Sequence, residues 1–313
     1  MASSRAALAL VLLVFQNTAL VLSMKASYRE TATPYNSSTV VVLSELLKLC
    51  CCCSVIFLRL GINGVSDVVG ELRGRLHFSL PSLLYCVQNN LLFIAIAELS
   101  ATAYVVCSQA KILSTGIFSV CILGIKLSCV QWWALILLIV SMILVQTDGL
   151  DQFDSSTARG CTARGFAVML AATSISGFAG VYLEKIYKSE VGYDIWARNL
   201  QLGVFSFPIS VFIAIHRYFA KFHNQGVFHG YNSIVVCIVL LNAGGGLLVA
   251  AVLTHASTIL KCFATSVSIC LCTIISAFTN SEAITVRVFC GVVLVNVSTF
   301  AYLTPSGKHL AKS

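Results

Sequence analysis

Long apolar stretches occupy most of the 313-residue chain, and short polar connections separate them. Because a helix needs about 20 mainly apolar residues to cross a bilayer, each stretch predicts a membrane-spanning helix. About ten such helices are predicted, over residues 6–24, 38–60, 78–97, 100–122, 130–147, 161–183, 197–217, 232–253, 257–279 and 284–303. The pattern therefore predicts an all-α, polytopic membrane protein without a separate soluble domain.

The composition agrees with this pattern, since 58% of the residues are hydrophobic and only 10% are charged. Soluble domains carry roughly 25% charged residues, so this chain has too few to form a water-facing surface. Intrinsic disorder is excluded as well, because it needs low hydrophobicity and high charge. The net charge of +8 is scattered without a basic block. Nucleic acid is therefore not an expected partner, whereas the lipid bilayer is.

Fourteen cysteines are present, and four of them form the run 50–53. No His/Cys cluster has zinc spacing, so the thiols are predicted to be small apolar residues in a buried setting. Lipidation of the run is a weaker alternative. The chain contains no Walker loop, no Asp-rich prenyl-transferase motif and no clustered histidines. We therefore expect no metal, no cofactor and no enzyme activity.

The charges of the loops predict the orientation in the membrane. An even number of helices puts both termini on one side, and that side carries a slight excess of Lys and Arg, which indicates the cytoplasm. Asn36-Ser-Ser38 then faces the lumen as an acceptor for N-glycosylation, although its use stays open. The first stretch is long for a signal peptide and is not followed by a small-residue cleavage site, so a retained helix is favoured.

Two segments with one pattern indicate an internal repeat. Lys111-Ile-Leu-Ser-Thr115 and Lys261-Cys-Phe-Ala-Thr265 both read Lys-x-x-small-Thr, and they lie five predicted helices apart. Because five is odd, the two halves would have opposite orientations, which is a common plan in transporters. We therefore predict one transmembrane domain over 1–313, with halves near 1–150 and 151–313. A chance match is the alternative.

Four ionisable residues within apolar stretches mark candidate functional positions. Glu45 and Lys48 are three residues apart on one helix face, so they predict either a structural ion pair or a gate. Lys111 and Lys261 have no acidic neighbour on their own helices. If both face one cavity, they form a cationic site for a phosphate group. Snorkelling to the interface, or pairing with a carboxylate of another helix, is the alternative.

Tyrosines and amides in the same stretches supply a second group of candidates. Tyr85 and Asn89 share one helix face, Tyr104 precedes the Lys111 segment, and Asn199 lies in the seventh stretch. Amides can hydrogen-bond to the edge of a nucleobase, and tyrosines can stack on its face. Hydrogen bonding between helices is the alternative role for these side chains.

Four motifs resemble, in the same order, those of the nucleotide-sugar transporter family: Gln88-Asn-Asn-Leu-Leu-Phe93, Gln109-Ala-Lys-Ile-Leu-Ser-Thr115, Gly177-Phe-Ala-Gly-Val-Tyr-Leu-Glu-Lys185 and Ile259-Leu-Lys-Cys-Phe-Ala-Thr-Ser266. The resemblance extends over about residues 45–304. It is closest to the branch of transporters for CMP-sialic acid, UDP-galactose and UDP-N-acetylglucosamine.

The resemblance implies two five-helix inverted repeats, as in drug/metabolite transporters, and residence in the Golgi membrane or the endoplasmic reticulum. It also implies import of a pyrimidine nucleotide sugar in exchange for the nucleoside monophosphate. A homodimer, or association with glycosyltransferases, is a further expected form. The family's ligand contacts carry over onto Tyr85, Asn89, Tyr104, Lys111, Asn199, Gly245, Gly246 and Lys261.

The chain departs from the family's motifs at three places. Tyr104-Val-Val106 replaces Tyr-Gln-Val, Ser257-Thr258 replaces an Asp-Asn pair, and Cys262 replaces a glycine. The second change removes a charge at a helix start, where Ser257 or Thr258 can still act as a cap. Two other functions stay open, namely export of another phosphorylated metabolite by the same fold and a non-transporting scaffold for glycosyltransferases.

Overall fold

A computed structural model describes residues 2–30, 35–70, 78–99, 104, 107–146, 163–189, 194–217, 219, 226–280 and 285–304. Within these ranges all of the longer regular elements are helices: α1 (Ala2–Glu30), α2 (Ser37–Gly70), α3 (Ser79–Glu98), α4 (Ala110–Leu123), α5 (Cys129–Gln146), α6 (Ala163–Ser189), α7 (Ile195–Arg217), α8 (Ser233–His255), α9 (Thr258–Asn280) and α10 (Val286–Leu303).

Seven of the described helices are long and apolar enough to cross a membrane, judged by length and composition. They are α1, α2, α6, α7, α8, α9 and α10. Helices α4 and α5 are apolar but shorter. The predicted all-α, polytopic membrane architecture is therefore confirmed, and each described helix falls on one of the ten predicted stretches.

The clearest difference from the predicted boundaries concerns α2, which continues to Gly70 instead of ending at residue 60. Gly61 lies within it at a φ of 71°, a left-handed conformation that glycine adopts without a steric penalty, so the helix bends there. Beyond the bend, Val68 is buried, and its carbonyl accepts a 3.4 Å hydrogen bond from Gln201 of α7. This distant contact stabilises a segment that the local sequence predicts as a loop.

The start of α2 gives the predicted glycosylation acceptor a structural role. The Asn36 side-chain oxygen accepts a 3.0 Å hydrogen bond from the Ser38 amide, and its carbonyl accepts one of 2.7 Å from the Thr39 hydroxyl. These bonds satisfy groups that a helix start leaves without partners. Because Asn36 is only 2% exposed, glycosylation there would require this cap to open.

Six of the cysteines are exposed, contrary to the prediction of buried thiols. Cys52, Cys262, Cys270 and Cys272 are buried as predicted. The exposed thiols lie mainly on outward faces of apolar helices, which is compatible with their role as small apolar residues: Cys50, Cys51, Cys121, Cys129, Cys237 and Cys290.

The described helices form two compact units, and the first comprises Met1–Leu83 and Ile186–Ser257. In this unit α1 packs against α8, α8 against α2, and α2 against α7. One buried cluster joins the starts of α2 and α8 through Val40, Val235 and Ile238. A second cluster joins α2 and α7 through apolar side chains such as Ile56 and Leu200.

The second unit comprises Leu84–Lys185 and Thr258–Ser313. Here α5 packs against α10, and α4 packs against both α5 and α9. The contact between α5 and α10 is close at Gly291, where an added Cβ would lie 2.5 Å from a Val145 methyl carbon. One apolar cluster in the core of this unit joins α4, α5, α9 and α10: Ile112, Leu135, Leu138, Met142, Val145, Ile259, Phe263, Cys270 and Val295.

Each unit draws its helices from both halves of the sequence. Within the units, helices that are five apart in order pack together, namely α2 with α7, α4 with α9, and α5 with α10. An inverted repeat is compatible with these three pairings, whereas α1 packs against α8 and, among the described residues, not against the helix five places later. The packing is compatible with the predicted repeat, and the division near residue 150 stays a prediction.

Candidate functional site

The two candidate phosphate-binding lysines occupy similar places in the second unit. Lys111 lies in the first turn of α4, and Lys261 lies in the first turn of α9. These helices pack together, and the adjacent residues Ile112, Ile259 and Phe263 belong to one buried cluster. Lys111 is exposed and Lys261 is partly exposed, so both ammonium groups lie outside the dry core.

The repeated motif produces the same local hydrogen bond in both helices. The Thr115 hydroxyl donates to the Lys111 carbonyl at 2.9 Å, and the Thr265 hydroxyl donates to the Lys261 carbonyl at 2.9 Å. A threonine in a helix commonly bonds in this way to the carbonyl four residues earlier. Thr254, Thr273 and Thr299 make the same bond, so it shows that both motifs are helical and does not by itself establish a structural repeat.

The tyrosines predicted to contact the ligand belong to the same unit. Tyr85 of α3 is half-buried and belongs to the same unit as Lys111. Tyr104 packs against a buried cluster that includes Leu99 and Met169. Asn89 also lies in α3, but its side chain falls outside the described residues. Tyr85, Tyr104, Lys111 and Lys261 therefore all belong to the second unit.

Helix α6 contacts both lysine-bearing helices through two glycines. A Cβ atom at Gly177 would lie 2.9 Å from the backbone nitrogen of Thr115 in α4. A Cβ atom at Gly180 would lie 3.0 Å from the Thr258 methyl carbon in α9. Both distances are shorter than ordinary van der Waals contact, so these glycines allow α6 to pack closely on α4 and on α9.

Glu184 of α6 is a site residue that the sequence analysis missed. Its carboxylate is fully buried and accepts a 2.6 Å hydrogen bond from the Thr258 amide at the start of α9. The Thr258 hydroxyl donates instead to the Gly180 carbonyl at 3.1 Å. The acidic cap of α9 therefore comes from another helix, and the only sequence signal for it was an acidic residue in an apolar stretch.

The first unit contains the other predicted ionic group. Lys48 donates a 2.7 Å hydrogen bond to one carboxylate oxygen of Glu45, and the Ser206 hydroxyl of α7 donates to the other at 2.6 Å. Lys48 is 8% exposed. The pair is thus enclosed within the unit and joins α2 to α7. Ser206 was not predicted from the sequence.

Gly245 and Gly246 of α8 are in close contact with polar side chains of neighbouring helices. A Cβ atom at Gly245 would lie 2.5 Å from the Gln16 amide nitrogen, and one at Gly246 would lie 3.0 Å from Cδ of Lys48. Gln16 of α1 donates a 2.9 Å hydrogen bond to the Leu241 carbonyl. Both glycines therefore permit close contact with a polar side chain of α1 or α2.

Asn199 of α7 is 2% exposed, and its amide donates a 2.9 Å hydrogen bond to the Ile195 carbonyl of the preceding turn. Next to it, the buried Arg198 guanidinium donates to the Tyr187 carbonyl in the last turn of α6 and lies 5.8 Å from the centre of the Tyr187 ring. These contacts join the last turn of α6 to the first turn of α7 within the first unit.

The sequence model of the nucleotide-sugar transporter family matches residues 2–303. The chain belongs to the nucleotide-sugar transporter family. The human UDP-N-acetylglucosamine transporter is 40% identical over 304 residues, which cover 93% of each chain. The UDP-galactose transporter of Schizosaccharomyces pombe is 36% identical and aligns with 96% of this chain and 88% of its own.

Two further comparisons cover nearly the whole chain. A UDP-N-acetylglucosamine/UDP-N-acetylgalactosamine transporter of Caenorhabditis elegans is 36% identical, over 97% of this chain and 96% of its own. A protein crystal structure superposes with a TM-score of 0.70 over 96% of both chains. Because that protein is only 11% identical, the superposition supports the fold alone. The family resemblance expected from the motifs is confirmed for this nucleotide-sugar transporter.

Proposed function

We propose that this transporter imports a pyrimidine nucleotide sugar in exchange for the corresponding nucleoside monophosphate. The observation that supports this proposal is the pair of equivalently placed lysines, Lys111 and Lys261, on two helices that pack together. Each lysine lies in the first turn of its helix, and neither is buried.

The charge of the two ligands fits two lysines. A phosphate monoester carries about −1.5 to −2 near neutral pH, and a nucleoside diphosphate sugar carries a similar charge on two phosphates. In a setting with little water, ammonium groups that donate to phosphate oxygens offset this charge strongly. A single site therefore accepts both partners of an exchange, which share the nucleotide and differ in the sugar.

Tyr85, Tyr104 and Asn89 are proposed to recognise the pyrimidine by stacking and by hydrogen bonds to its edge. Tyr85 and Tyr104 belong to the same unit as the two lysines, which supports this role. Asn199, Gly245 and Gly246 are proposed ligand contacts on the family resemblance alone, since their described partners are neighbouring protein groups.

UDP-N-acetylglucosamine is the first candidate substrate, because transporters for it are among the relatives that cover nearly the whole chain. UDP-galactose follows on the relationship to the fission-yeast transporter. CMP-sialic acid is retained as a candidate on the motifs. The sugar is proposed to cross the Golgi membrane, or that of the endoplasmic reticulum, with both termini in the cytoplasm. A homodimer or a glycosyltransferase complex is compatible with this activity.

Exchange requires that the carrier changes conformation mainly when it is loaded. A ligand shifts a conformational equilibrium only through different affinities for the two states, so both nucleotides must bind best to the state that precedes reorientation. The enclosed Glu45–Lys48 pair is proposed to hold α2 and α7 together during this change, and a gating role is the alternative.

The proposal is tested with purified protein in liposomes that contain UMP, CMP, GMP or no nucleotide. Uptake of labelled UDP-N-acetylglucosamine, UDP-galactose, CMP-sialic acid and GDP-mannose is then measured. We expect uptake of a UDP-sugar only when UMP is inside. Folded protein that transports none of these sugars would contradict the proposal, and the export of a different phosphorylated metabolite or a scaffold function would then be preferred.

A further inference from the structure

We infer that Glu184 is a positioning residue for Lys261, which it orients by fixing the start of α9. The inference rests on the proposed function, because it assigns Lys261 to the phosphate of the transported nucleotide. Glu184 lies in α6, on a different helix from either lysine, and the sequence gives it no neighbour that suggests this role.

The contact between Glu184 and α9 involves a group that a helix cannot satisfy by itself. The first amides of an α-helix have no partner within the helix, and the helix dipole makes its start electropositive. Glu184 accepts a short hydrogen bond from the Thr258 amide, at 2.6 Å. A fully buried carboxylate thus supplies both a partner and a compensating charge at this helix start.

Three contacts hold Thr258, which lies one turn before Lys261. Besides the bond to Glu184, its hydroxyl donates to the Gly180 carbonyl at 3.1 Å. The Thr258 methyl carbon packs against Gly180, and a Cβ atom added at Gly180 would lie 3.0 Å from it. Helix α6 therefore fixes the position and the rotation of the first turn of α9. Since Lys261 ends that turn, its direction follows from these contacts.

A third helix contacts α9 just beyond its first turn. The Tyr302 ring of α10 packs on Phe263 of α9 with 4.9 Å between ring centres. The start of α9 is therefore held by α6, and the following turn is packed against α10.

The residues at the start of α9 show why the Glu184 carboxylate matters here. Ser257 and Thr258 are uncharged, and the first turn of α9 has no acidic residue of its own. Glu184 supplies a carboxylate to this helix start from α6. The Thr258 amide donates to Glu184, so this amide is not free to donate to a nucleotide phosphate. The phosphate is therefore expected to bind the lysine ammonium groups.

The test compares Glu184→Ala and Glu184→Gln with a control, Lys185→Gln, in the liposome exchange assay. We expect Glu184→Ala to raise KM for the transported UDP-sugar about tenfold, as for loss of a hydrogen bond to a charged group, with a nearly unchanged maximal rate. Glu184→Gln should have a smaller effect, because the amide oxygen still accepts from Thr258. Lys185 is exposed, so its variant should behave as wild type.

A double-mutant cycle with Lys261→Gln separates positioning from general destabilisation. If Glu184 acts through Lys261, Glu184→Ala should add little to the higher KM of Lys261→Gln. A carboxylate restored in Ser257→Asp/Glu184→Ala should recover most of the affinity, and this pair also serves if the single variant is unstable. An unchanged KM, or fully additive losses in the cycle, would overturn the inference. Absence of exchange by wild-type protein would instead reject the proposed function.

Discussion

The two units differ in the environment of the lysines that lie within their apolar helices. In the first unit, Lys48 is paired with Glu45 at 2.7 Å and is 8% exposed. In the second, Lys111 and Lys261 are more accessible, and within the part of the chain that the structure describes neither has a carboxylate at ion-pair distance. An ammonium that is already neutralised supports the fold, whereas an accessible one is available to an anionic ligand.

The largest expected effect tests whether the Glu45–Lys48 ion pair stabilises the fold. Glu45→Ala leaves the Lys48 ammonium enclosed without its carboxylate, so we expect the free energy of unfolding to fall by about 3–5 kcal/mol. The double variant Glu45→Gln/Lys48→Met removes both charges and should recover most of this loss. Thermal unfolding in detergent measures both. If the single variant is no less stable than the double, the pair does not have the structural role proposed here.

The next effect concerns the accessible lysines. Lys111→Ala and Lys261→Ala each remove a charged hydrogen-bond donor to phosphate, worth about 1.5–3 kcal/mol, so affinity for UMP should fall on the order of 10–100-fold. Unfolding temperatures should stay near wild type. Lys126→Gln is the matched control, because Lys126 is an exposed lysine that follows α4. Normal UDP-sugar uptake by either alanine variant would remove that lysine from the site.

A smaller effect distinguishes two neighbouring glycines of α8. Gly245→Ala places a Cβ atom 2.5 Å from the Gln16 amide, so the end of this side chain must move and its bond to the Leu241 carbonyl is lost, at a cost of about 0.5–1.5 kcal/mol. Gly244→Ala meets no heavy atom within 4 Å and should be neutral or stabilising, because alanine favours a helix. Denaturation of the two variants side by side measures the difference. Equal stability would show that α1 moves away without cost.

The smallest effect tests the link between α2 and α7. Ser206→Ala removes one hydrogen bond to Glu45 while it leaves the Glu45–Lys48 ion pair intact. Side-chain hydrogen bonds between membrane helices contribute about 0.6 kcal/mol on average, so we expect a loss of that size. The same unfolding assay applies. A loss as large as that of Glu45→Ala would mean that Ser206 positions the whole ion pair.

Much of the fold could be predicted from the sequence, because a membrane-spanning helix is encoded locally by a run of apolar residues. The limits lie where distant contacts override local signals. Helix α2 passes through the bend at Gly61 because its second segment packs on α7, and Gln201 binds a carbonyl 133 residues away. No local pattern contains that information.

The candidate site also contains residues that could be predicted from the local sequence and residues that could not. Lys111 and Lys261 were predictable because a lysine in an apolar stretch is conspicuous and because the Thr four residues later repeats. Glu184 and Ser206 were not, since their partners lie 74 and 161 residues away in the chain. Gly177 and Gly180 were ambiguous in the sequence, and only the helices packed against them show that they allow close approach.

The central claim is that Lys111 and Lys261 bind the phosphate of the nucleotide while Glu45 and Lys48 support the fold. The most direct measurement is the affinity of the purified protein for UMP relative to uridine, which lacks the phosphate. The account predicts that Lys261→Ala removes most of the advantage of UMP and leaves uridine binding unchanged, while Glu45→Gln/Lys48→Met retains the wild-type ratio. A wild-type ratio in Lys261→Ala, or a lost ratio in the double variant alone, would contradict it.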